Sequence, residues 1–149
     1  MIITQQSPRQ ADIIELLEQL DAYLAALYPA ESNHLLELES LTGADVTFLV
    51  ARDAQGALAG CCSFVGRNGY AELKRMVVVP ALRGQGVGAA LLAAIVTRAR
   101  AAGFASLKLE TGVEQPEALG LYRRAGFAEI APFGDYPSDP LSIFMEKRL

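Results

Sequence analysis

Residues 77–88, Val-Val-Val-Pro-Ala-Leu-Arg-Gly-Gln-Gly-Val-Gly, constrain the fold more than any other stretch of the chain. They read as a strand, a short loop, a glycine turn and the start of an alanine- and leucine-rich helix. Gly84, Gly86 and Gly88 leave the main chain bare where that helix begins. The first N–H groups of a helix have no internal partners and carry the positive end of its dipole. Bare N–H groups at a helix start suit a phosphate. Arg83, next to the turn, adds a fixed cation. The chain is therefore expected to grip a phosphorylated ligand here, the alternative being a tight loop that binds nothing.

The rest of the chain has to supply a sheet for that strand and a core for that helix. With 149 residues, 52% of them apolar and 20% charged, a single folded domain over 1–149 is expected. The net charge of −4 argues against nucleic acid as a partner. Charges or glycines interrupt every apolar run short of membrane-spanning length, so no membrane partner is expected. Met1-Ile2-Ile3 has no basic lead and no cleavage pattern, which makes a cytoplasmic location the expectation.

Ile2–Thr4 reads as a strand, and Ser7-Pro8 as the cap of a helix whose apolar positions run from Ile13 to Leu27. Tyr28-Pro29 ends it, and 31–41 reads as a second, shorter helix. Strands at 46–52 and 58–65 flank the turn Asp53-Ala54-Gln55-Gly56, and a third strand runs over 70–79. A helix over 84–102 stops at Gly103, and a strand over 105–110 is broken by Thr111-Gly112. A helix over 116–125 stops at Gly126, and strands at 127–130 and 142–146 close the chain. Hairpins followed by a strand–helix–strand crossover predict an α/β fold with a mixed, mostly antiparallel sheet and helices on both faces.

Cys61 and Cys62 are neighbours in a strand and read as buried thiols, since a bridge between adjacent residues is strained. His34, the sole histidine, is either a surface group or a neighbour of a substrate pocket. One histidine and two adjacent cysteines make no metal-ligand set, so no metal is expected.

Three phosphate ligands compete for the glycine turn. A nucleoside triphosphate loop needs Gly-Lys-Ser/Thr, and no lysine follows these glycines. Gly84-Gln85-Gly86-Val87-Gly88-Ala89 fits the G-x-G-x-x-A of a nicotinamide dinucleotide site, with Glu110 about where a ribose-binding acid belongs. Against it, four residues separate strand from glycines, and too little chain follows Glu110 for a doubly wound sheet. The third ligand is coenzyme A. Arg83-Gly84-Gln85-Gly86-Val87-Gly88 resembles the R/Q-x-x-G-x-G/A motif of the GCN5-related N-acetyltransferase (GNAT) superfamily. Ala118, Leu121-Tyr122 and Gly126-Phe127 resemble its A-x-x-L-Y-x-x-x-G-F helix and turn. Segments 72–76 (Glu-Leu-Lys-Arg-Met), 109–112 (Leu-Glu-Thr-Gly) and 132–136 (Pro-Phe-Gly-Asp-Tyr) are similar to one branch of small-molecule acetyltransferases, some of which carry an indole-acetate label.

That resemblance implies the GNAT fold, acetyl-coenzyme A as cofactor, a small-molecule amine as acceptor and direct attack of the amine on the thioester. A non-catalytic acyl-coenzyme A sensor is the alternative use of the same pocket. It implies cofactor contacts from Met76, Val77 or Val78, through a free N–H at a strand bulge, and from 83–88 (Arg-Gly-Gln-Gly-Val-Gly). Gln115 stands where many relatives have an asparagine on the cofactor.

An alkylamine with a pKa near 10.4 is neutral at pH 7 only about one time in 2,500, a handicap of roughly 4.6 kcal/mol that a carboxylate base can relieve. The resemblance offers Glu72 first and Glu110 second as that base, with Glu72, Lys74 and Met76 on one strand face if no bulge intervenes. It offers Tyr122 as the acid for the leaving thiolate; the other use of Tyr122 is as a core aromatic. The acceptor pocket is expected among Tyr28, Glu31, Ser32, His34, Phe133, Asp135 and Tyr136. Lys74 and Arg75 are candidates to hold an acceptor carboxylate. Relatives commonly dimerise, so a homodimer is open, though nothing in the chain fixes it.

Overall fold

The computed structural model describes residues 1–32 and 37–149. Seven strands form one sheet: β1 (Ile2–Gln5), β2 (Val46–Arg52), β3 (Leu58–Gly66), β4 (Ala71–Val78), β5 (Ser106–Gly112), β6 (Ala128–Ile130) and β7 (Ser142–Arg148). Their spatial order is β1-β2-β3-β4-β5-β7-β6. Every neighbouring pair is antiparallel except β4 and β5. This is the mixed, mostly antiparallel sheet expected from the order of hairpins and crossover. It is not the doubly wound parallel sheet of a dinucleotide fold.

Helix α1 (Ala11–Leu27) covers one face. Its Ile13, Leu16 and Leu17 recur at helical spacing and pack on Phe48, Val50, Cys61 and Val77. Helices α2 (Val87–Ala101) and α3 (Pro116–Arg124) lie on the other face. There Leu91, Leu92, Ile95, Leu119 and Tyr122 meet Cys62, Leu73, Leu107 and Met145. Gly126 (φ 93°) ends α3 in the left-handed region, letting Phe127 N–H bond back to the Tyr122 carbonyl.

Several boundaries differ from the sequence expectation. Ser7 caps a short turn, accepting from the Arg9 N–H, and α1 starts only at Ala11. Of the expected helix over 31–41, the described residues form the 3₁₀ turns Ala30–Ser32 and Glu39–Thr42; residues 33–36, His34 among them, lie outside the described residues. Helix α2 begins at Val87, not Gly84, because Gly84 and Gly86 take φ of 76° and 85°. Strand β5 runs on through Thr111 and Gly112, whose pairing with Ile143 and Ser142 of β7 outweighs the local breaking tendency.

Arg52 ties the N-terminal segment to the β2–β3 hairpin, donating to Asp12 (2.7 Å), Gln10 (2.9 Å) and the Gly56 carbonyl (3.0 Å). The bond from Arg52 holds the Asp12 carboxyl below its usual range. A carboxyl depressed in the folded state stabilises above its unfolded pKa and loses that contribution as pH falls through the lowered value. Asp12 is nearly half exposed, so solvent screening keeps the pair small. Asp12→Asn should cost about 0.5 kcal/mol in urea denaturation at pH 7. The difference should vanish once the pH is below the depressed pKa.

Candidate functional site

β4 and β5 pair at only two positions, Ala71 with Leu107 and Glu72 with Lys108. Beyond them the two strands separate. At the gap lies a small cavity of about 100 Å³, walled by α1 and by both faces of the sheet, beside a groove of about 1400 Å³ between α2 and α3. Leu20, Met76 and Gln115 line both.

A bulge sits where β4 enters the gap. Cys61 pairs with Val77 but Ser63 pairs with Lys74, so Cys62 faces both Arg75 and Met76. Arg75 has a φ of 60°, the only non-glycine positive φ among the described residues. The extra residue inverts the alternation of the strand. Leu73 and Met76 both face the α2 core, while Lys74 and Arg75 both face the α1 side. Glu72 and Met76 therefore lie on opposite faces, not on the shared face that an unbroken strand gives.

The glycines of the groove serve two purposes. Beyond Gly84 and Gly86 a β-carbon would meet nothing within 4 Å, so their backbone stands open to the groove. Gly88 instead lets α2 approach α3, since a β-carbon there would lie 3.1 Å from Leu121 Cδ2. No side chain caps α2, whose first internal bond runs from Ala90 to Gly86. The N–H groups of 87–89 thus have no partner within the helix. Arg83, Gly84, Gly86, Val87 and Gly88 line the groove with Val77 and Val78; the Gln85 side chain turns back to the Ala81 carbonyl. Arg100, Arg124 and Lys147 add cations to the same groove, with Glu117 on its acidic side. Nothing local in the sequence marks these three as groove residues, except that Arg123-Arg124 directly follows the Leu-Tyr motif. Open N–H groups beside cations suit the phosphates of coenzyme A.

Tyr122 reaches the small cavity from α3. It is buried and stacks edge-on against Phe127. Its hydroxyl makes no hydrogen bond to any described residue. Burial pushes its pKa well above the ordinary phenol value.

The two carboxylates differ in setting. Glu72 is 3% exposed and lines neither cavity. Arg67 donates to its Oε1 (3.1 Å), while Tyr136 donates to Oε2 (2.5 Å) and Lys74 Nζ lies 3.2 Å away. Glu110 lines the small cavity and accepts from Ser142 (2.9 Å).

Of the expected acceptor residues, Tyr28, Ser32, Lys74 and Arg75 line the cavity. Phe133 and Tyr136 do not; they stack with each other and with Phe144, and carry the β6–β7 loop onto Glu72. Glu31 and Asp135 are exposed and line neither cavity. Cys61 and Cys62 are free and fully buried, and burial pushes the Cys61 thiol up to about 12, so neither is set up as a nucleophile.

Residues 13–127 match the model of the acetyltransferase (GNAT) family. The chain belongs to the GNAT family. It is an acetyltransferase, and acetyl-coenzyme A is its acetyl donor. An IAA acetyltransferase of Azospirillum brasilense is 51% identical to this acetyltransferase over 99% of the chain and 97% of the relative. A Klebsiella pneumoniae structure described as an acyl-CoA N-acyltransferase is 38% identical, with a TM-score of 0.84 over 99% of this chain and 97% of that one. The PaiA N-acetyltransferase of Thermoplasma acidophilum, solved with coenzyme A, shares the fold at a TM-score of 0.75 and 20% identity, over 99% of this chain and 98% of that one.

Tyr28 and Gln115 brace the end of β5 in this acetyltransferase. Tyr28 accepts from the Glu114 N–H (3.0 Å) and donates to Gln115 Oε1 (3.3 Å), which also accepts from the Gly112 N–H (3.2 Å). A β-carbon on Gly112 would fall 1.7 Å from the Tyr28 hydroxyl. Gly112→Ala should therefore lower stability by about 1–3 kcal/mol. Adding Tyr28→Leu should cost less in that background than in the native chain. A double-mutant cycle by chemical denaturation checks both.

Proposed function

We propose that this acetyltransferase moves an acetyl group onto the amine of a small molecule, by direct attack of the amine on the thioester of acetyl-coenzyme A. The observation that carries the reading is the gap between β4 and β5. Beside it lie a groove suited to coenzyme A and a cavity suited to a small acceptor, the latter lined by Glu110 and Tyr122. Domain 1–149 then works as one unit, with the thioester arriving from one face of the sheet and the amine from the other.

Three groups of the chain divide the work. The main chain at the Arg75–Met76 bulge, freed from the regular β3 ladder, polarises the thioester carbonyl. Glu110 takes the proton of the incoming ammonium, directly or through water. Glu110 is preferred to Glu72 because Glu72 lines neither cavity and both its oxygens are occupied. Tyr122 protonates the leaving thiolate. In water a phenol is a weaker acid than a thiol by about 1.5 pKa units, roughly 2 kcal/mol uphill. Burial raises a thiol as it raises the phenol, as the value of about 12 at Cys61 illustrates, so the gap between them stays near its value in water and the transfer remains uphill by only a small amount. The raised phenol keeps its proton across the neutral range.

Main-chain N–H groups at the start of α2, with Arg83, hold the pyrophosphate of the donor. Gln115 lines both cavities, and its remaining amide N–H₂ is available to the donor. Tyr28, Lys74 and Arg75 wall the acceptor side.

An acceptor screen that follows thiol release, over amino acids, polyamines, aromatic acids and IAA, tests the reading. Binding of acetyl-coenzyme A with no acceptor-dependent thiol release across the panel would turn it toward a non-catalytic sensor. With an acceptor in hand, Tyr122→Phe should lower kcat by about 10²-fold or more while the KM for acetyl-coenzyme A and the melting temperature change little. An unchanged kcat removes Tyr122 from the mechanism. Glu110→Gln should lower kcat/KM with little loss of stability. Glu72→Gln should instead destabilise by about 3 kcal/mol, because it breaks a buried ion-pair network. If Glu72→Gln is stable and inactive while Glu110→Gln is active, the base is Glu72.

A further inference from the structure

Arg75 combines two unfavourable features. It holds a left-handed backbone (φ 60°) although it carries a β-carbon. Its guanidinium is buried, with Nε unbonded. A glycine would satisfy the backbone and leave no buried charge, so a turn alone does not explain an arginine here. Strain of this kind persists where the surrounding structure enforces it, and it concentrates at functional sites.

The arginine makes one directional contact. Nη1 and Nη2 donate to the two carboxylate oxygens of Asp21 on α1. At its first turn α1 is held by Arg52 of β2 through Asp12; beyond that it meets the sheet through Ile13, Leu16 and Leu17, apolar contacts that set distance but not register, so the pair with Asp21 is the directional contact near the gap. Leu20 and Leu24, on either side of Asp21 in α1, line the small cavity, and Leu20 also lines the groove. The pair thus links the bulge of β4 to the helix that walls the acceptor side of the gap.

We infer that Arg75 and Asp21 are positioning residues: their ion pair fixes the bulge so that the main chain at Met76 is aimed at the thioester carbonyl, and locks α1 in register with it. Neither side chain touches the reacting atoms. The inference rests on the proposed acetyl transfer through the gap, and on the bulge as the group that polarises the carbonyl.

The test needs no known acceptor. Acetyl-coenzyme A labelled with ¹³C at the acetyl carbonyl is bound to the full-length protein, and its carbonyl stretch is read by difference infrared spectroscopy. Affinity for unacetylated coenzyme A is measured by calorimetry. In the native protein the bound carbonyl should absorb at lower frequency than free, as hydrogen bonding polarises it. In Asp21→Asn and Arg75→Gly the band should move back toward the free value, while the Kd for coenzyme A stays within about twofold. Arg75→Lys, which keeps a cation for Asp21, should recover part of the shift. Arg75→Gly keeps the left-handed backbone available and so separates the role of the guanidinium from that of the bulge. If it does not fold, the nearly half-exposed Asp21 gives the decisive variant.

Variants that retain the native band overturn the inference and leave the proposed function standing. A native protein that binds acetyl-coenzyme A without shifting its carbonyl also overturns it. Failure of the native protein to bind acetyl-coenzyme A sinks the proposed function, and the inference with it.

Discussion

The parting of β4 from β5 after two residue pairs is the constraint on which the rest depends. In a continuous sheet every main-chain N–H and C=O along an interior strand is consumed by its neighbours. Here β4 is interior, yet the edge beyond Glu72 has no partner from β5. The bulge at Arg75–Met76 supplies the local bend, because an extra residue in one strand increases its twist and turns its edge away. The outcome is a slot through an otherwise closed sheet, with polar backbone on its wall and a different chemical environment on each side.

The two sides divide by the physics of what covers them. On the α2 side the glycine turn strips side chains from the helix start, and four cations line the groove. The small cavity mixes leucines and tyrosines with polar groups, and Lys74, Arg75 and Glu110 are its charges. Tyr122 is held at the small cavity by packing against Phe127. The rise of its pKa comes chiefly from that burial, and no described neighbour bonds its hydroxyl.

The Glu72 network shows how such a slot is kept rigid. A carboxylate 3% exposed needs full compensation, and it has Arg67, Lys74 and Tyr136 around it. Tyr136 brings with it the loop between β6 and β7, stacked through Phe133 onto Tyr70 and Phe144. The segments 72–76 and 132–136, distant in sequence, are thereby one structural unit at the base of the slot. Their presence together in the chain reflects that packing as much as any contact with an acceptor.

Much was legible from residues 77–88 and 116–127 because their signals are local. Glycine at positive φ, an uncapped helix start and apolar spacing of 3.6 are properties of neighbours in sequence, and they mark the groove and its helices without reference to the rest. The strands and the hairpin at 53–56 were readable for the same reason. What the chain did not disclose by itself is which way β4 faces after Lys74. One extra residue against β3 sends Lys74 and Arg75 to the same side and Met76 to the other, and that count exists only once β3 is paired. The different settings of Glu72 and Glu110 were equally hidden. Each is a carboxylate in a strand, and only the tertiary fold leaves one wrapped in cations and the other facing the cavity, because solvation and charge around a side chain are set by residues far along the chain.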